Sequence, residues 1–318
     1  MSTGKYGIGF IESYEVVLDH LMGNPVADGM KDHIVWDLRL PRAIMGAFVG
    51  AGLAAGGAAM QSMMRNPLAD PYTTGVSSGA SLGAAIAIIL GICVVPTLSG
   101  QAAIVINAFV FSTIPASIIV LISKYRRTTP TMIILSGISV MYIFSATTSM
   151  LMLIANPDDL AEVYTWNVGT LGKATWENLP LVAAIVCVGV TILELFARQL
   201  NVMTLGDKGA SSLGVNANLS RLSCLVVISL VTAAVVSFTG TIGFVGLVAP
   251  HMVRIFIGSD NRYLIPASAA FGAAFLIIAD CIAKEAGPTG LPVGVITALV
   301  GGPLFLFLLL RMRKSAWN

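Results

Sequence analysis

Nine apolar stretches recur along this chain, at about 42–64, 76–95, 101–123, 131–155, 178–197, 218–238, 243–257, 263–283 and 292–310, divided by charges and by Gly or Pro breaks. A helix crossing a hydrocarbon core of ~30 Å needs about 20 such residues, and most of these stretches reach or approach that length. Only 11% of the residues are charged, against ~25% in soluble domains, and mean hydropathy is +0.86. The expected fold is therefore all-α, a polytopic membrane helix bundle with about nine spans, forming a single domain over 1–318. A net charge of +2 gives no reason to expect nucleic-acid binding. The four cysteines stand singly in apolar stretches and the three histidines are dispersed, so no metal site or disulfide framework is expected.

Nine spans put the termini on opposite sides. With the C-terminus cytoplasmic, 12 of the 18 Lys and Arg residues fall inside, including the closing groups Lys124, Arg126, Arg127 and Arg311, Arg313, Lys314. The six outside are Lys5, Lys31, Arg39, Arg42, Lys173 and Lys284. This bias follows the positive-inside rule. It places residues 1–38 outside as an extracytoplasmic segment, within which 7–23 is amphipathic, carries Glu12, Glu15 and Asp19, and is a poor span. No earlier span or signal peptide delivers that segment, so an upstream helix missing from the gene model is the expected explanation.

The stretch RLPRAIMGAFVGAGLAAGGAAMQSMMRNPLADPYTTGVSSG (39–79) concentrates the functional signals. Arg39 and Arg42 sit three apart, on one face of a helix start at the outer surface. Their forks suit carboxylates, and an interfacial anchor is the alternative. Gly46, Gly50 and Ala54, like Gly52 and Gly56, have the i, i+4 spacing of close helix packing, or of the thin smooth wall of a cavity. Pro67 and Pro71 remove amide donors and end the helix at Asn66-Pro67-Leu68. Further on, Asp207 and Lys208 lie among glycine breakers in TLGDKGASSLGV (204–215), which reads as a short polar helix rather than a span. Asp280 lies well inside an outer-half helix, where an ionisable group is a functional suspect. Lys284, four residues on, makes a local ion pair the favoured reading over an ion-coupling site. His251, after Pro250, reads as a structural residue, since nothing nearby supplies a proton-relay partner. No G-x-x-x-x-G-K-[ST] phosphate loop occurs, and no nucleophile or H-E-x-x-H arrangement, so the chain is not expected to be an enzyme.

Residues 39–83, with TWNVGTLGKATWENL (165–179), TLGDKGASSLGV (204–215), GTIGFVGLVAPHMVR (240–254) and LPVGVITALVGGPLFLFLLLR (291–311), resemble the FecCD-type permeases. These are the membrane subunits of ABC importers for iron-siderophores, haem and cobalamin. The resemblance covers nearly the whole chain. It implies ten helices per subunit, so that this chain is expected to lack the first. It implies that Arg39, Arg42 and Lys284 dock an extracytoplasmic substrate-binding protein, Lys284 standing where relatives often have arginine. It implies a cytoplasmic gate at Asn66, Pro67, Leu68 and at Thr129, Pro130, Thr131. Within a cytoplasmic loop, 201–217, it implies coupling to the ATPase through Leu205, Gly206, Asp207, Ser211, Leu213 and Gly214.

The expectation is a permease subunit that works as a homodimer with two ATP-binding-cassette ATPase subunits. It would sit in lipid in a prokaryotic inner or plasma membrane and move an iron(III)-siderophore or related metal chelate into the cytoplasm. Cobalamin and haem are the alternatives. The chain itself would bind no cofactor, ATP and magnesium belonging to the ATPase. An ion-coupled secondary transporter is the rival reading. It would need buried carboxylates beside broken helices at mid-membrane, and the sequence offers almost none.

Overall fold

The computed structural model describes residues 6–24, 26, 28–123, 125, 128–287 and 290–311. Of the cations used in the charge count, Lys5, Lys124, Arg126, Arg127, Arg313 and Lys314 lie outside the described residues. The described chain is helical throughout its regular structure. A short amphipathic helix α1 (Phe10–Met22) and a single turn α2 (Gly29–Asp32) lead through a π-helical segment, His33–Arg39, into α3 (Leu40–Met64). Pro41 opens α3, where its missing N–H costs nothing. Arg65 closes it in the left-handed conformation (φ 50°), and the Asn66 N–H returns to the Gln61 carbonyl.

The bundle continues with α4 (Val76–Leu90), α5 (Gly100–Ser123) and α6 (Pro130–Leu153). A surface helix, α7 (Pro157–Val168), precedes α8 (Leu179–Leu195), α9 (Ala197–Met203) and α10 (Gly206–Ser212). The last four are α11 (Ala217–Thr239), α12 (Val245–Ile257), α13 (Asn261–Glu285) and α14 (Val293–Arg311). Their starts are local: Thr129, Asn156, Asn216 and Asp260 each accept a backbone N–H of the first turn, and Pro130 and Pro157 occupy first helical positions.

All nine expected segments fall on helices. Among the described residues five helices have the length and apolarity to cross a membrane, α8 and α9 pass the same test only together and are bent by 52° where they meet, and α4, α12 and α14 are shorter apolar helices. Helix α3 is the centre. It packs against α8, α11, α12 and α13, while α4, α5 and α6 form a second group joined to it through α11. A Cβ on Gly50 would overlap the Gly272 backbone of α13, and one on Gly57 would overlap Gly246 of α12. In lipid, apolar contact with a neighbour is no better than contact with acyl chains, so such close backbone approach is what holds helices together.

Residues 52–64 are buried on every side, so the second half of α3 is internal to the chain, while Ala43, Ile44, Ala47, Phe48 and Ala51 in its first half are partly exposed. Exposed apolar surface belongs instead to helices such as α6, where Leu135, Tyr142, Ile143, Met150 and Leu153 face outward.

Candidate functional site

Two charged clusters sit at opposite ends of α3, whose 25 residues at 1.5 Å each separate them by ~37 Å. At the first end, the Asp280 carboxylate of α13 is buried, with 4% of its side chain exposed. Arg42 donates to it from Nε at 3.0 Å to both oxygens and from Nη2 at 2.7 Å. Lys284 Nζ lies 2.9 Å from Oδ2. The expected pairing of Asp280 with Lys284 is present, and Arg42, 238 residues away in sequence, joins it. The cluster carries two cations on one anion. Arg42 remains 23% exposed and Lys284 12%.

The expected surface position of Arg39 is corrected. Its π-helical turn directs it inward, where it is buried and donates from Nη2 to the Tyr6 carbonyl at 2.8 Å. The N-terminal segment is held over this end further by Trp36. The Trp36 ring stacks on His20 at 3.8 Å, and its carbonyl accepts from Trp176 Nε1 at 3.0 Å.

At the other end, a cleft of about 760 Å³ gathers residues far apart in sequence. Arg65 contributes one wall, Thr129, Pro130 and Thr131 a second, and Leu205, Gly206 and Asp207 a third. A neighbouring hollow of about 510 Å³ is lined by Asp207 again, with Thr128, Ser211, Gly214 and Asn218. The structure thus brings one expected gate turn and most of the expected coupling residues together, with Asp207 as the ridge between two hollows. Asn66, Pro67 and Leu68 line neither. They form a tight turn beside Arg65 in which Asn66 Oδ1 accepts the Leu68 N–H at 2.9 Å. Leu213 also lines neither hollow. It projects outward, as does Leu205, with 61% and 66% exposed.

The residue that organises this end escaped the sequence reading. Arg221, in α11, is 1% exposed. Its Nη2 donates to Asp207 Oδ1 at 2.7 Å, and Nη1 donates to the Thr128 carbonyl at 2.5 Å. Asn218, one turn earlier, accepts the Thr128 N–H at 2.8 Å. The available signal was a lone arginine five residues after the Asn216 cap of an apolar helix. In the sequence it is indistinguishable from an ordinary loop-flanking cation.

Nearby, Asp260 caps α13 and binds Arg262 and Asn201. Hydrogen bonds from the Arg262 guanidinium and then the Asn201 amide hold its carboxyl well below the usual carboxylate range. Asn201 also links α9 to Asn261, which accepts from Ser62 of α3 at 2.7 Å. His251 is buried against Phe305, edge to face with ring centroids 6.3 Å apart, and its buried Nδ1 makes no hydrogen bond among the described residues. No group of three or more His, Cys, Asp or Glu suited to a metal ion occurs among the described residues.

Residues 1–311 match the FecCD transport family. The Fe(3+)-citrate import system permease protein YfmD of Bacillus subtilis is 35% identical over 316 residues, covering 99% of this chain and 90% of its own. The cobalamin import system permease protein BtuC of Halobacterium salinarum is 44% identical over 203 residues, covering 64% and 54%. Against the first three curated relatives the match spans 61%, 66% and 54% of their own lengths. A solved chain assigned to a metal-chelate type ABC transporter, in an inward-facing conformation, superposes with a TM-score of 0.83 at 27% identity. That superposition covers 94% of this chain and 99% of the other. The chain belongs to the FecCD transport family and has the fold of a multi-span ABC importer permease.

Proposed function

We propose that this chain is the transmembrane permease subunit of an ATP-binding-cassette importer that moves an iron(III)-siderophore or related metal chelate into the cytoplasm. The observation that carries the reading is the cleft in which Thr129, Pro130 and Thr131 at the start of α6 meet Leu205, Gly206 and Asp207 at the start of α10. A segment that would touch an ATPase and a turn that would narrow the exit are there within one hollow. The exposed Leu205 and Leu213 give α10 apolar projections for a cleft in a partner, and the ATPase supplies ATP and magnesium. Two copies would enclose the path between them, since residues 52–64 of α3 are packed on all sides within one copy.

The end bearing Arg42 faces outward in this reading, with the C-terminus cytoplasmic. Arg42 and Lys284 present a cluster of net charge +1 to acidic side chains of a binding protein. Each exposed pair contributes only ~0.2–1 kcal/mol, so docking needs several. Arg39 serves by holding the N-terminal segment in place. Cobalamin and haem remain the alternative cargoes. Two acids are buried among the described residues, and neither suits an ion-coupled carrier: Asp280 is held by two cations, and Asp70 caps the short Pro71–Thr74 turn by accepting the Tyr72 N–H.

Reconstitution in liposomes with the cognate ATPase and binding protein tests the reading. Uptake of a ferric chelate should require ATP and both partners. Uptake that follows an ion gradient without the ATPase would sink it.

A further inference from the structure

The coupling helix and the gate turn share more than a cleft. Arg221 donates from Nη2 to Asp207 of α10, while Nη1 donates to the main-chain carbonyl of Thr128, 93 residues away in sequence, and makes a longer contact, 3.5 Å, with the second Asp207 oxygen. Thr128 immediately precedes the Thr129-Pro130-Thr131 turn, and its N–H is taken by Asn218 of the same helix. Both backbone polar groups of Thr128 are thus fixed by one turn of α11. A simple staple between α10 and α11 would need only the Asp207 contact. The bond to Thr128 extends it to a third element.

The burial of the three groups is unequal. Arg221 is 1% exposed, while the Asp207 side chain is 49% exposed. A push on α10 from outside therefore acts on the accessible end of a pair whose other end is locked in protein. Separating the pair would leave an uncompensated buried cation, the costly outcome, whereas moving all three groups together keeps every bond. Lysine could not reproduce this, because it lacks a planar fork with two separated donors.

We propose that Arg221 is the positioning residue that ties the motion of α10 to the Thr128–Thr131 turn, so that displacement of α10 repositions the gate turn rather than sliding past it. This rests on the reading of α10 as the ATPase-facing element.

Paired spin labels at Ser212→Cys and Thr131→Cys test it, with the four native cysteines changed to alanine and the whole complex in nanodiscs. In the parent, one narrow distance peak should survive trapping of the ATPase with ATP and vanadate. In Arg221→Gln the peak should broaden roughly twofold on trapping, as the two elements sample independent positions, while ATP hydrolysis continues. Arg221→Lys should fall between. Asp207→Asn and Asn218→Ala each loosen one side and should broaden the peak less. If thermal unfolding shows that Arg221→Gln does not fold, Asp207→Asn carries the test, since its side chain is half exposed. An unchanged peak in the folded variants, with ATP hydrolysis intact, overturns this inference alone. An ATPase that fails to bind the parent overturns the reading of α10, and this inference with it.

Discussion

The two charged clusters at the ends of α3 are built in opposite senses. At the Arg42 end the anion is buried and its two cations reach the surface, with exposures of 4%, 23% and 12% for Asp280, Arg42 and Lys284. At the Arg65 end the cation is buried and its anion reaches the surface, 1% for Arg221 against 49% for Asp207. One end therefore shows an excess of positive charge to a partner. The other shows a neutralised carboxylate backed by a hidden arginine. The first suits recognition of an acidic surface, where orientation and on-rate depend on charge. The second suits mechanical linkage, because its buried member is bonded to two separate elements.

The same contrast predicts unequal costs of mutation. The largest effect is expected for Asp280→Ala. It leaves Arg42 and Lys284 facing each other without their counter-ion, and breaking a buried pair this way costs ~3–5 kcal/mol. Denaturant unfolding in detergent reads it. A loss no larger than that of Lys284→Gln would break the comparison. Next comes Asp207→Ala, expected to cost ~1–3 kcal/mol because Arg221 has a single carboxylate partner and keeps only the Thr128 carbonyl. Part of that cost is offset where the half-exposed site admits water.

Lys284→Gln should cost less, ~0–1 kcal/mol, since Asp280 keeps the bidentate Arg42. Binding of the extracytoplasmic partner should weaken more than stability does, measured by titration of the binding protein onto the permease in nanodiscs. The smallest effect belongs to the exposed pair Asp260–Arg262, a reference that is buried at neither end. Its folded carboxyl is held below the ordinary value of ~3.9, so its contribution is complete above that pH and is lost as pH falls through the lower folded value. Unfolding curves of the parent and Asp260→Asn should keep a constant separation from pH 5 to 8. They should converge only in acid. Convergence near neutrality would show that the pair is not held as the structure has it.

Much of this was legible before the fold. The nine apolar segments, the break at Asn66-Pro67 and the short polar helix within 204–215 all follow from local chemistry. The i, i+4 spacing of Asp280 and Lys284 also gave half of the first cluster. The rest was not legible. Arg39 and Arg42 look equivalent in the sequence, yet a π-helical turn directs one inward and leaves the other on Asp280. The glycines of α3 read first as packing surface and also as cavity wall, and the partners they pack on, Gly272 against Gly50 and Gly246 against Gly57, are visible only in the structure.

The sequence by itself determined which segments are apolar helices and where the strongest breaks between them fall, because those depend on runs of apolar residues and on Pro and Gly within a few positions. The tertiary structure alone decided which charges meet. Arg42 finds Asp280 across 238 residues, and Arg221 finds Thr128 across 93, because α3 and α11 pack where they do. Helical periodicity sets the face on which a side chain lies. The order in which helices pack sets what that face touches, and for this protein that order gathered Arg42 onto Asp280 at one end and Arg221 onto Asp207 and Thr128 at the other.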